Sequence, residues 1–272
     1  MVSILVSSCD DYHDVLKLFF AAFEEHWIDC PYPILINGEK NIFICDNLNN
    51  KYKTNTSKQK KWGQRLLSSL HKIEDDFVIT LLDDYILENK INVENLNQTI
   101  SVLQNNNDIS CVYLFYLESL DFIESGLNSF IEVSNKSLYK INTLPAIWKR
   151  KDLIKLIEQN DDPWSWEAFS MYRKSAINTK IFSVNSSKNN IYNYSAITGG
   201  AVYRGKWVKD VVSNKLEKYN LPNNFSKRNY LELENINKRT ISWKLNFLVR
   251  GFMIANFKVF IFIFKSLKSK WK

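Results

Sequence analysis

The sequence is poor in residues that interrupt regular structure, with only 7 glycines and 5 prolines among 272 residues. This composition excludes a collagen-like or linker-rich protein. The sequence also contains no P-loop, no Gly-x-Ser-x-Gly and no Cys-x-x-Cys pattern, which argues against the common NTPase, hydrolase and redox classes. The length and the 45% hydrophobic fraction instead predict a globular protein with a sizeable core.

Cysteine and histidine are also scarce. Neither the four cysteines nor the three histidines have the spacing of metal ligands. The cysteines are expected to be buried, reduced thiols, which suits a reducing compartment: Cys9, Cys30, Cys45 and Cys111. The N-terminus lacks a basic segment followed by a long apolar run, so we expect no signal peptide and a cytoplasmic protein.

Acidic residues are missing from the C-terminal segment. No Asp or Glu occurs from Asn235 to the end, a stretch that contains nine Lys and Arg residues. Since the whole chain has a formal net charge of +7, residues 1–234 are close to neutral. A basic character confined to the tail argues against a general nucleic-acid-binding surface.

The basic tail is also apolar. The stretch Gly251–Phe264 is short and is interrupted by Lys258, which argues against a membrane span. On one helix, the spacing predicts a basic stripe of Lys244, Lys258, Lys265 and Lys272. It also predicts an apolar face that contains Phe252, Phe260, Ile263 and Phe264. We expect residues 221–272 to form a basic amphipathic helix on a membrane surface. Packing on the protein or on another subunit is the alternative.

Strands and helices alternate along the first half of the chain. Ser3–Val6 and Phe77–Leu82 are apolar runs typical of buried strands, and the segments between them have helical spacing. This pattern predicts an α/β domain over residues 1–220, with a mostly parallel sheet flanked by helices. Two later runs, Phe130–Val133 and Leu138–Ile141, are expected to form a short antiparallel pair.

Two adjacent carboxylates, Asp83 and Asp84, directly follow the apolar run Phe77–Leu82. In parallel α/β sheets the ligand lies outside the carboxyl ends of the strands. Carboxylates at that place suit Mg²⁺ or Mn²⁺ bridging a diphosphate, because these ions prefer oxygen ligands. A helix cap or a solvated turn explains the same two residues, since Asp favours both.

The strings Trp62–Leu67 and Phe77–Tyr85 resemble bacterial GT-A-fold glycosyltransferases that build capsular polysaccharide or lipopolysaccharide. In that fold an Asp-x-Asp motif holds the metal on the donor diphosphate, whereas this sequence has Asp-Asp-Tyr. The resemblance implies a Rossmann-like GT-A domain that moves a hexose from a UDP-sugar to a lipid-linked or other glycan acceptor. It implies Asp84 as the ligand of Mn²⁺ or Mg²⁺, with Asp83 as a second ligand or a contact to the donor.

The same resemblance implies a set of donor-binding residues. Three polar residues after the first predicted strand are expected to contact uracil or ribose: Ser7, Ser8 and Asp11. Arg65 and Lys206 are expected to contact the diphosphate, although a surface position explains Arg65 equally well. Asp14, in contrast, is expected to cap the following helix.

A second constellation spans Asp161–Glu167. An inverting transfer needs a carboxylate base near the acceptor hydroxyl, and the resemblance implies Glu167 in that role. Asp162 and Pro163 also have the pattern of a helix cap and a first helical residue, which by itself explains an acid nearby. The residues implied at the acceptor are three tryptophans and two glycines: Trp148, Trp164, Trp166, Gly199 and Gly200. The rings of Trp164 and Trp166 can stack on sugars, whereas a core position also explains Trp148 and a plain turn also explains the glycine pair.

Two other functions fit the same features. A nucleotidyltransferase also uses an α/β sheet with acidic metal ligands, but it normally has a glycine-rich loop near the N-terminus, and Ser7–Asp11 contains no glycine. A non-catalytic, membrane-bound scaffold that retained the fold is the other alternative. For the transferase, a lipid-linked acceptor predicts a peripheral protein on the inner face of the bacterial cell membrane.

Overall fold

The computed structural model describes residues 1–44, 52–57, 61–176, 178–221, 228–231 and 239–269. The strands of its large sheet are β1 (Val2–Ser7), β2 (Ile34–Asn37), β3 (Tyr52–Asn55), β4 (Phe77–Leu82), β5 (Ile109–Tyr113), β6 (Phe122–Ile123), β7 (Phe130–Val133), β8 (Ala146–Lys149) and β9 (Lys180–Val184). Their order across this nine-stranded sheet is β3-β2-β1-β4-β8-β5-β9-β7-β6. Strands β1 to β4 are parallel to one another, which confirms the predicted α/β sheet.

A smaller sheet and the helices complete the fold. The small sheet contains β10 (Val202–Tyr203), β11 (Lys206–Val208) and β12 (Tyr230–Leu231). The helices are α1 (His13–Trp27), α2 (Trp62–Lys72), α3 (Val93–Asn105), α4 (Arg150–Leu156), α5 (Pro163–Phe169), α6 (Lys209–Lys218), α7 (Ile241–Ala255) and α8 (Val259–Ser269). Strand β12 lies beyond residue 220 and pairs with β11, so part of the segment predicted as a tail joins the small sheet.

The core is centred on β1 and β4, which lie side by side within the large sheet. Ile4, Val6, Val78 and Ile79 have no exposed surface. Because both faces of these strands are covered, their sequences are continuously apolar rather than alternating. The parallel strands β1, β2 and β4 therefore bring their carboxyl ends to one edge of the sheet, where the chain becomes polar.

The second half of the sheet differs from the sequence-based expectation. Strand β7 pairs with β6 and β9, whereas Leu138–Ile141 forms turns with Tyr139 at a φ of 56°. The predicted antiparallel pair is therefore wrong. Strand β8, which was not predicted, runs antiparallel between β4 and β5. Four residues are too few to show a periodicity, so their strand conformation depends on the neighbours that they pair with.

The C-terminal segment forms two helices rather than one. Helix α7 ends before Asn256, which has a φ of 50°, and a 3₁₀ turn leads into α8. A Cβ added to Gly251 would lie 2.8 Å from Val259, and the rings of Phe247 and Phe262 are 6.2 Å apart. The helices thus pass back along each other as an α7–α8 hairpin. The predicted helical C-terminal segment is confirmed, but the break at Asn256 divides it into two helices and interrupts the expected basic stripe.

The α7–α8 hairpin packs on α5 of the body. The ring of Phe169 lies 4.9 Å from that of Phe247 and 5.0 Å from that of Phe262. In the part of the chain that the structure describes, the 27-residue segment Ile241–Leu267 is long and apolar enough to cross a membrane by length and composition. The mean hydropathy of its most apolar 18-residue stretch is 1.9, and 22% of that stretch is buried.

Candidate active site

The candidate site lies where β1, β2 and β4 end. Ser7 pairs with Asn37 at the end of β2. Beyond this pair, the backbone N–H of Ser8 donates to the carbonyl of Asn37 (3.0 Å), and that of Asp83 donates to the carbonyl of Ser7 (3.2 Å). The strand register therefore places the polar end of β1 directly beside the first aspartate after β4.

Asp83 is buried in this position, with 5% of its surface exposed. Its Oδ2 has no hydrogen-bond partner among the described residues. Burial and the charge of Asp84 raise the pKa of Asp83 well above its usual value, while the hydroxyl of Ser8 and the guanidinium of Arg228 oppose the rise. A buried carboxylate oxygen without a partner is unfavourable, and a bound cation would satisfy it.

Asp84 is packed against Gly200, one of the two glycines that were expected to bind the acceptor. Burial raises the pKa of Asp84 to about 7, although backbone hydrogen bonds from Asp84 itself and from Val202 lower it. The carbonyl of Asp84 accepts a hydrogen bond from the N–H of Ala201 (2.8 Å). A Cβ added to Gly200 would lie 2.5 Å from Oδ2 of Asp84, whereas one added to Gly199 would meet no atom within 4 Å.

The two aspartates fit the predicted cation. Among the described residues, no group of three or more His, Cys, Asp or Glu side chains is arranged to hold a metal ion. Mg²⁺ is commonly held by one or two carboxylates and completes its shell with substrate phosphates and water. The unpartnered Oδ2 of Asp83 and the adjacent carboxylate of Asp84 suit that kind of site. Mn²⁺ or Mg²⁺ at this place stays a prediction.

Glu167 lies on α5, whose start is as expected. The carboxylate of Asp162 accepts a hydrogen bond from the N–H of Ser165 (3.1 Å), and Pro163 is the first helical residue. Oε1 of Glu167 accepts two hydrogen bonds from Thr143, one from the N–H (2.8 Å) and one from the hydroxyl (2.5 Å). Burial raises the pKa of Glu167, and the hydrogen bonds from Thr143 oppose the rise.

A chain of side chains connects Glu167 with the aspartate pair. The hydroxyl of Thr143 lies 3.2 Å from that of Tyr85, which directly follows Asp84. The ring of Tyr194 packs on Tyr85 with 4.4 Å between centroids, and its pKa is raised mainly by burial and further by the charge of Asp84. The candidate base and the candidate metal ligand therefore lie along one wall of the site.

Glu39 is a further acidic residue at this edge, and it is not among the residues predicted from the sequence. Oε1 of Glu39 lies 3.1 Å from Nη1 of Arg65, which is 6% exposed. The other carboxylate oxygen accepts a hydrogen bond from the N–H of Asp10 (3.2 Å). Glu39 follows the end of β2 by two residues, so the argument applied to Asp83 would have identified it.

Arg228 is a buried cation beside the site, and it was also missed. Its Nε donates to Oδ2 of Asp14 (2.8 Å), its guanidinium lies 4.1 Å from the ring centroid of Tyr12, and it also donates to the carbonyl of Asp11. Asp14 pairs with this cation inside the first turn of α1, whose N-cap is Tyr12. The expectation that Asp14 caps the helix is therefore wrong. No local pattern reveals a pair separated by 214 residues.

Two of the three tryptophans expected at the acceptor are core residues. Trp148 on β8 is 1% exposed, and Trp166 is 3% exposed. The indole N–H of Trp166 donates to the carbonyl of Leu156 (3.0 Å), and its ring packs on Trp62. Because neither presents a ring face to solvent, the expectation that Trp148 and Trp166 stack on the acceptor is wrong. Trp164 is 57% exposed and stays a candidate.

The remaining predicted residues lie at or near this edge with different exposure. Ser7 and Ser8 are half-buried at the end of β1, and Asp11 is exposed. Lys206 is exposed on β11. Cys45 lies outside the described residues, while Cys9, Cys30 and Cys111 are free thiols. The donor contacts of Ser7, Ser8, Asp11, Arg65 and Lys206 stay predictions.

No protein-family model and no curated protein matches the chain in sequence. A solved structure of S. aureus TarS 1-349 in complex with UDP is similar, with a TM-score of 0.50, 12% identity and coverage of 95% of this chain and 82% of that chain. Bifunctional IspDF from Campylobacter jejuni has a TM-score of 0.41 and 13% identity, covering 72% of this chain and 53% of that chain. The galactosyltransferase LgtC in complex with donor and acceptor sugar analogs has a TM-score of 0.33 and 10% identity, covering 60% of this chain and 61% of that chain.

At such identities the similarity concerns the fold and not the activity. This chain spans about half the length of IspDF, and 37% of the chain in another TarS structure. The TarS match covers 95% of this chain, and the large sheet of this chain has four parallel strands beside one another. The protein therefore has the GT-A type of fold, with apolar helices at its C-terminal end.

Proposed function

We propose that the protein is a nucleotide-sugar-dependent glycosyltransferase that moves a hexose from a UDP-sugar to a glycan acceptor. The observation that carries this proposal is the arrangement of three carboxylates along one wall. Asp83 and Asp84 directly follow the central strand β4, and Glu167 is connected with them through Tyr85 and Thr143. The pair suits a metal-bound diphosphate, and the third carboxylate suits a base.

The donor is proposed to lie across the ends of β1 and β2. Ser7, Ser8 and Asp11 offer polar groups for the nucleoside, and Arg65 with Glu39 forms the adjacent charged pair. The UDP in the similar TarS structure supports a uridine nucleotide. Lys206 remains a candidate for a phosphate contact from the exposed side of the small sheet.

In the proposed reaction, Asp84 and Asp83 would hold a divalent cation. Mn²⁺ or Mg²⁺ bound there would neutralise charge that develops on the leaving diphosphate. Glu167 accepts the proton of the acceptor hydroxyl while that oxygen bonds to the anomeric carbon and the bond to the diphosphate oxygen breaks. Thr143 fixes one carboxylate oxygen of Glu167. Burial raises the pKa of Glu167, which makes the ionised form a stronger base. The attack from the opposite face inverts the sugar.

The acceptor is proposed to approach past Trp164, the exposed tryptophan at the start of α5, and past the open face of Gly199. A capsular or lipopolysaccharide glycan is the acceptor class that we propose. We also propose a cytoplasmic location, and the free thiols of Cys9, Cys30 and Cys111 support it because such thiols persist in a reducing compartment.

The test is a donor screen with purified full-length protein. UDP-, GDP- and CMP-sugars are incubated with and without Mn²⁺, and the released nucleotide is measured together with donor binding by thermal shift. We expect Mn²⁺-dependent release of UDP that is lost in Asp84→Asn. The matched control is Asp108→Asn, at an exposed aspartate paired with Lys180 at the amino ends of β5 and β9, which should behave as the wild type.

Three results would contradict the proposal. Absence of both turnover and metal-dependent nucleotide binding would favour a non-catalytic scaffold. Release of pyrophosphate from CTP or UTP would instead identify a nucleotidyltransferase. An unchanged anomeric configuration of the product, measured by NMR, would remove Glu167 from the role of inverting base.

A further inference from the structure

The α7–α8 hairpin exposes an extended apolar surface. Large apolar side chains on both helices and at the turn between them are exposed, among them Leu245, Val249, Met253, Phe257, Phe260 and Phe264. Each of the six is at least 58% exposed. Residues 245, 249 and 253 repeat every four positions on α7, and residues 260 and 264 do so on α8, so each helix presents one apolar stripe. A contiguous surface of this kind marks an interaction site.

We propose that this hairpin face binds the surface of an anionic bilayer and thereby holds the acceptor side of the site at the level of the lipid headgroups. The charge of the segment supports this occupant. No acidic residue occurs after Glu234, whereas nine basic residues follow it. Lys244 and Arg250 are exposed on α7 itself. Apolar side chains flanked by positive charge only are complementary to anionic lipid headgroups over an apolar interior.

The hairpin lies on the bilayer instead of crossing it. Helix α7 has 15 residues and α8 has 11, which correspond to roughly 22 and 16 Å, shorter than the ~30 Å apolar layer. A single span would require the turn at Asn256 to straighten and Lys258 to enter the apolar layer. In the structure, Nζ of Lys258 instead donates to the carbonyl of Tyr172 (3.2 Å), which fastens the turn to the body.

The orientation follows from how the hairpin is attached to α5. Arg250 pairs with Asp162 at the start of α5, and Phe169 at its end packs on Phe247 and Phe262. Glu167 lies between these two attachments on the same helix. Since a helix is roughly 10 Å across, Glu167 stands about one to two helix diameters from the bilayer surface. This distance suits a sugar or diphosphate headgroup on a lipid anchor, an assignment that rests on the proposed function.

The first test measures membrane binding without donor or acceptor. Full-length protein is sedimented with mixed phosphatidylglycerol–phosphatidylcholine vesicles and with pure phosphatidylcholine vesicles. Wild type is expected to bind the mixed vesicles more tightly, and added salt should weaken this binding. Met253→Glu and Phe257→Glu should each weaken it at least about tenfold, because a carboxylate replaces an inserted apolar side chain. The matched control Ile28→Glu, at a side chain that is 70% exposed on the body, should bind as the wild type.

Other outcomes of this test overturn the proposal. Hairpin variants that bind like the wild type would exclude the apolar face from membrane contact. The wild type could instead bind neither kind of vesicle and form dimers that are dissociated by the Met253 and Phe257 variants. That result would assign the face to a second copy of the chain. Protein that resists alkaline extraction from the vesicles would be spanning them. None of these readouts depends on turnover, so their failure is distinct from failure of the proposed glycosyl transfer.

The second test measures orientation with a nitroxide label and a nickel-chelating lipid. Labels are placed through Trp164→Cys on α5 and through Ile28→Cys, which precedes β2 and so lies near the opposite edge of the parallel strands. Cys45 is replaced by serine. Burial and neighbouring carboxylates raise the pKa of the Cys9 thiol to about 12, so Cys9 reacts slowly. The label at position 164 should be relaxed strongly and the one at position 28 weakly. Equal or reversed relaxation would overturn the orientation.

Discussion

Gly200 and Asp84 are in such close contact that any larger residue at position 200 would displace the Asp84 side chain. A Cβ at Gly200 would lie 2.5 Å from Oδ2, 2.7 Å from Cγ and 3.1 Å from the carbonyl oxygen of Asp84. The N–H of Ala201 binds that same carbonyl (2.8 Å). The segment before β10 therefore covers the carboxylate of Asp84, two residues after β4, and it joins the predicted acceptor loop to the predicted metal site.

Gly200→Ala is expected to displace the Asp84 carboxylate and to reduce Mn²⁺-dependent donor binding by about tenfold or more, because an atom closer than van der Waals contact must push the ligand away. Isothermal titration with UDP and Mn²⁺ measures this effect. The control is Gly199→Ala, which has a φ of 92° and meets no atom within 4 Å. It should lower stability through backbone strain while leaving the metal dependence intact. Equal losses of binding in both variants would contradict the role of the Gly200 contact.

Thr143→Val is expected to move the acidic limb of the pH–rate profile to higher pH. The hydroxyl of Thr143 donates to Glu167 and lowers its pKa, so its removal raises the pKa of the group that must be ionised. The N–H of Thr143 still holds the carboxylate. Glu167→Gln serves as the reference and should lower kcat by roughly 10²–10⁴-fold with little change in the donor KM. A purely structural role for Thr143 would leave the acidic limb where it is in the wild type.

The stability of the metal-free protein is expected to fall as pH rises towards 7. The pKa of Asp84 is about 7 in the folded state, whereas an aspartate without interactions, as in the unfolded state, has a pKa of 3.8. Between these values the folded state keeps a proton that the unfolded state has released, so the free energy of unfolding decreases by up to about 1.4 kcal/mol per pH unit. The stability associated with protonated Asp84 is fully present below the pKa of the unfolded state and is lost above the pKa of the folded state.

Urea unfolding of wild type and Asp84→Asn over this pH range measures that contribution. The variant should have the shallower decrease, because an amide does not ionise. Burial lowers the pKa of His26, which makes stability rise with pH and acts in the opposite direction. The difference between the two proteins removes this common effect. Identical slopes would show that Asp84 ionises freely in the folded protein.

Arg228→Met is expected to destabilise the fold by about 2 kcal/mol, because it leaves Asp14 without its cation and removes the contact with Tyr12. The magnitude lies below that of a fully buried pair, since the side chain of Asp14 is 31% exposed. A double-mutant cycle with Asp14→Asn, measured by urea unfolding, isolates the pair. A coupling energy near zero would mean that packing of the Arg228 side chain, and not its charge, stabilises this position.

Local patterns in the sequence determined several features by themselves. The apolar run Phe77–Leu82 forms β4 with the predicted bounds, and Asp83 and Asp84 follow it at the carboxyl edge of the sheet. Asp162 caps α5 before Pro163. These features depend on burial of a single element and on backbone groups within a few residues. Short-range chemistry is therefore enough to specify them.

Other features were decided only by the tertiary structure. Trp148 is a core residue because β8 inserts between β4 and β5, and Arg228 reaches Asp14 across 214 residues of chain. The C-terminal segment has the composition of one amphipathic helix, yet it folds back at Asn256 so that Phe247 and Phe262 can both pack on Phe169. A residue pattern records that a side chain is to be buried. It does not indicate which distant partner that side chain packs against, because the partner depends on the packing of the whole chain.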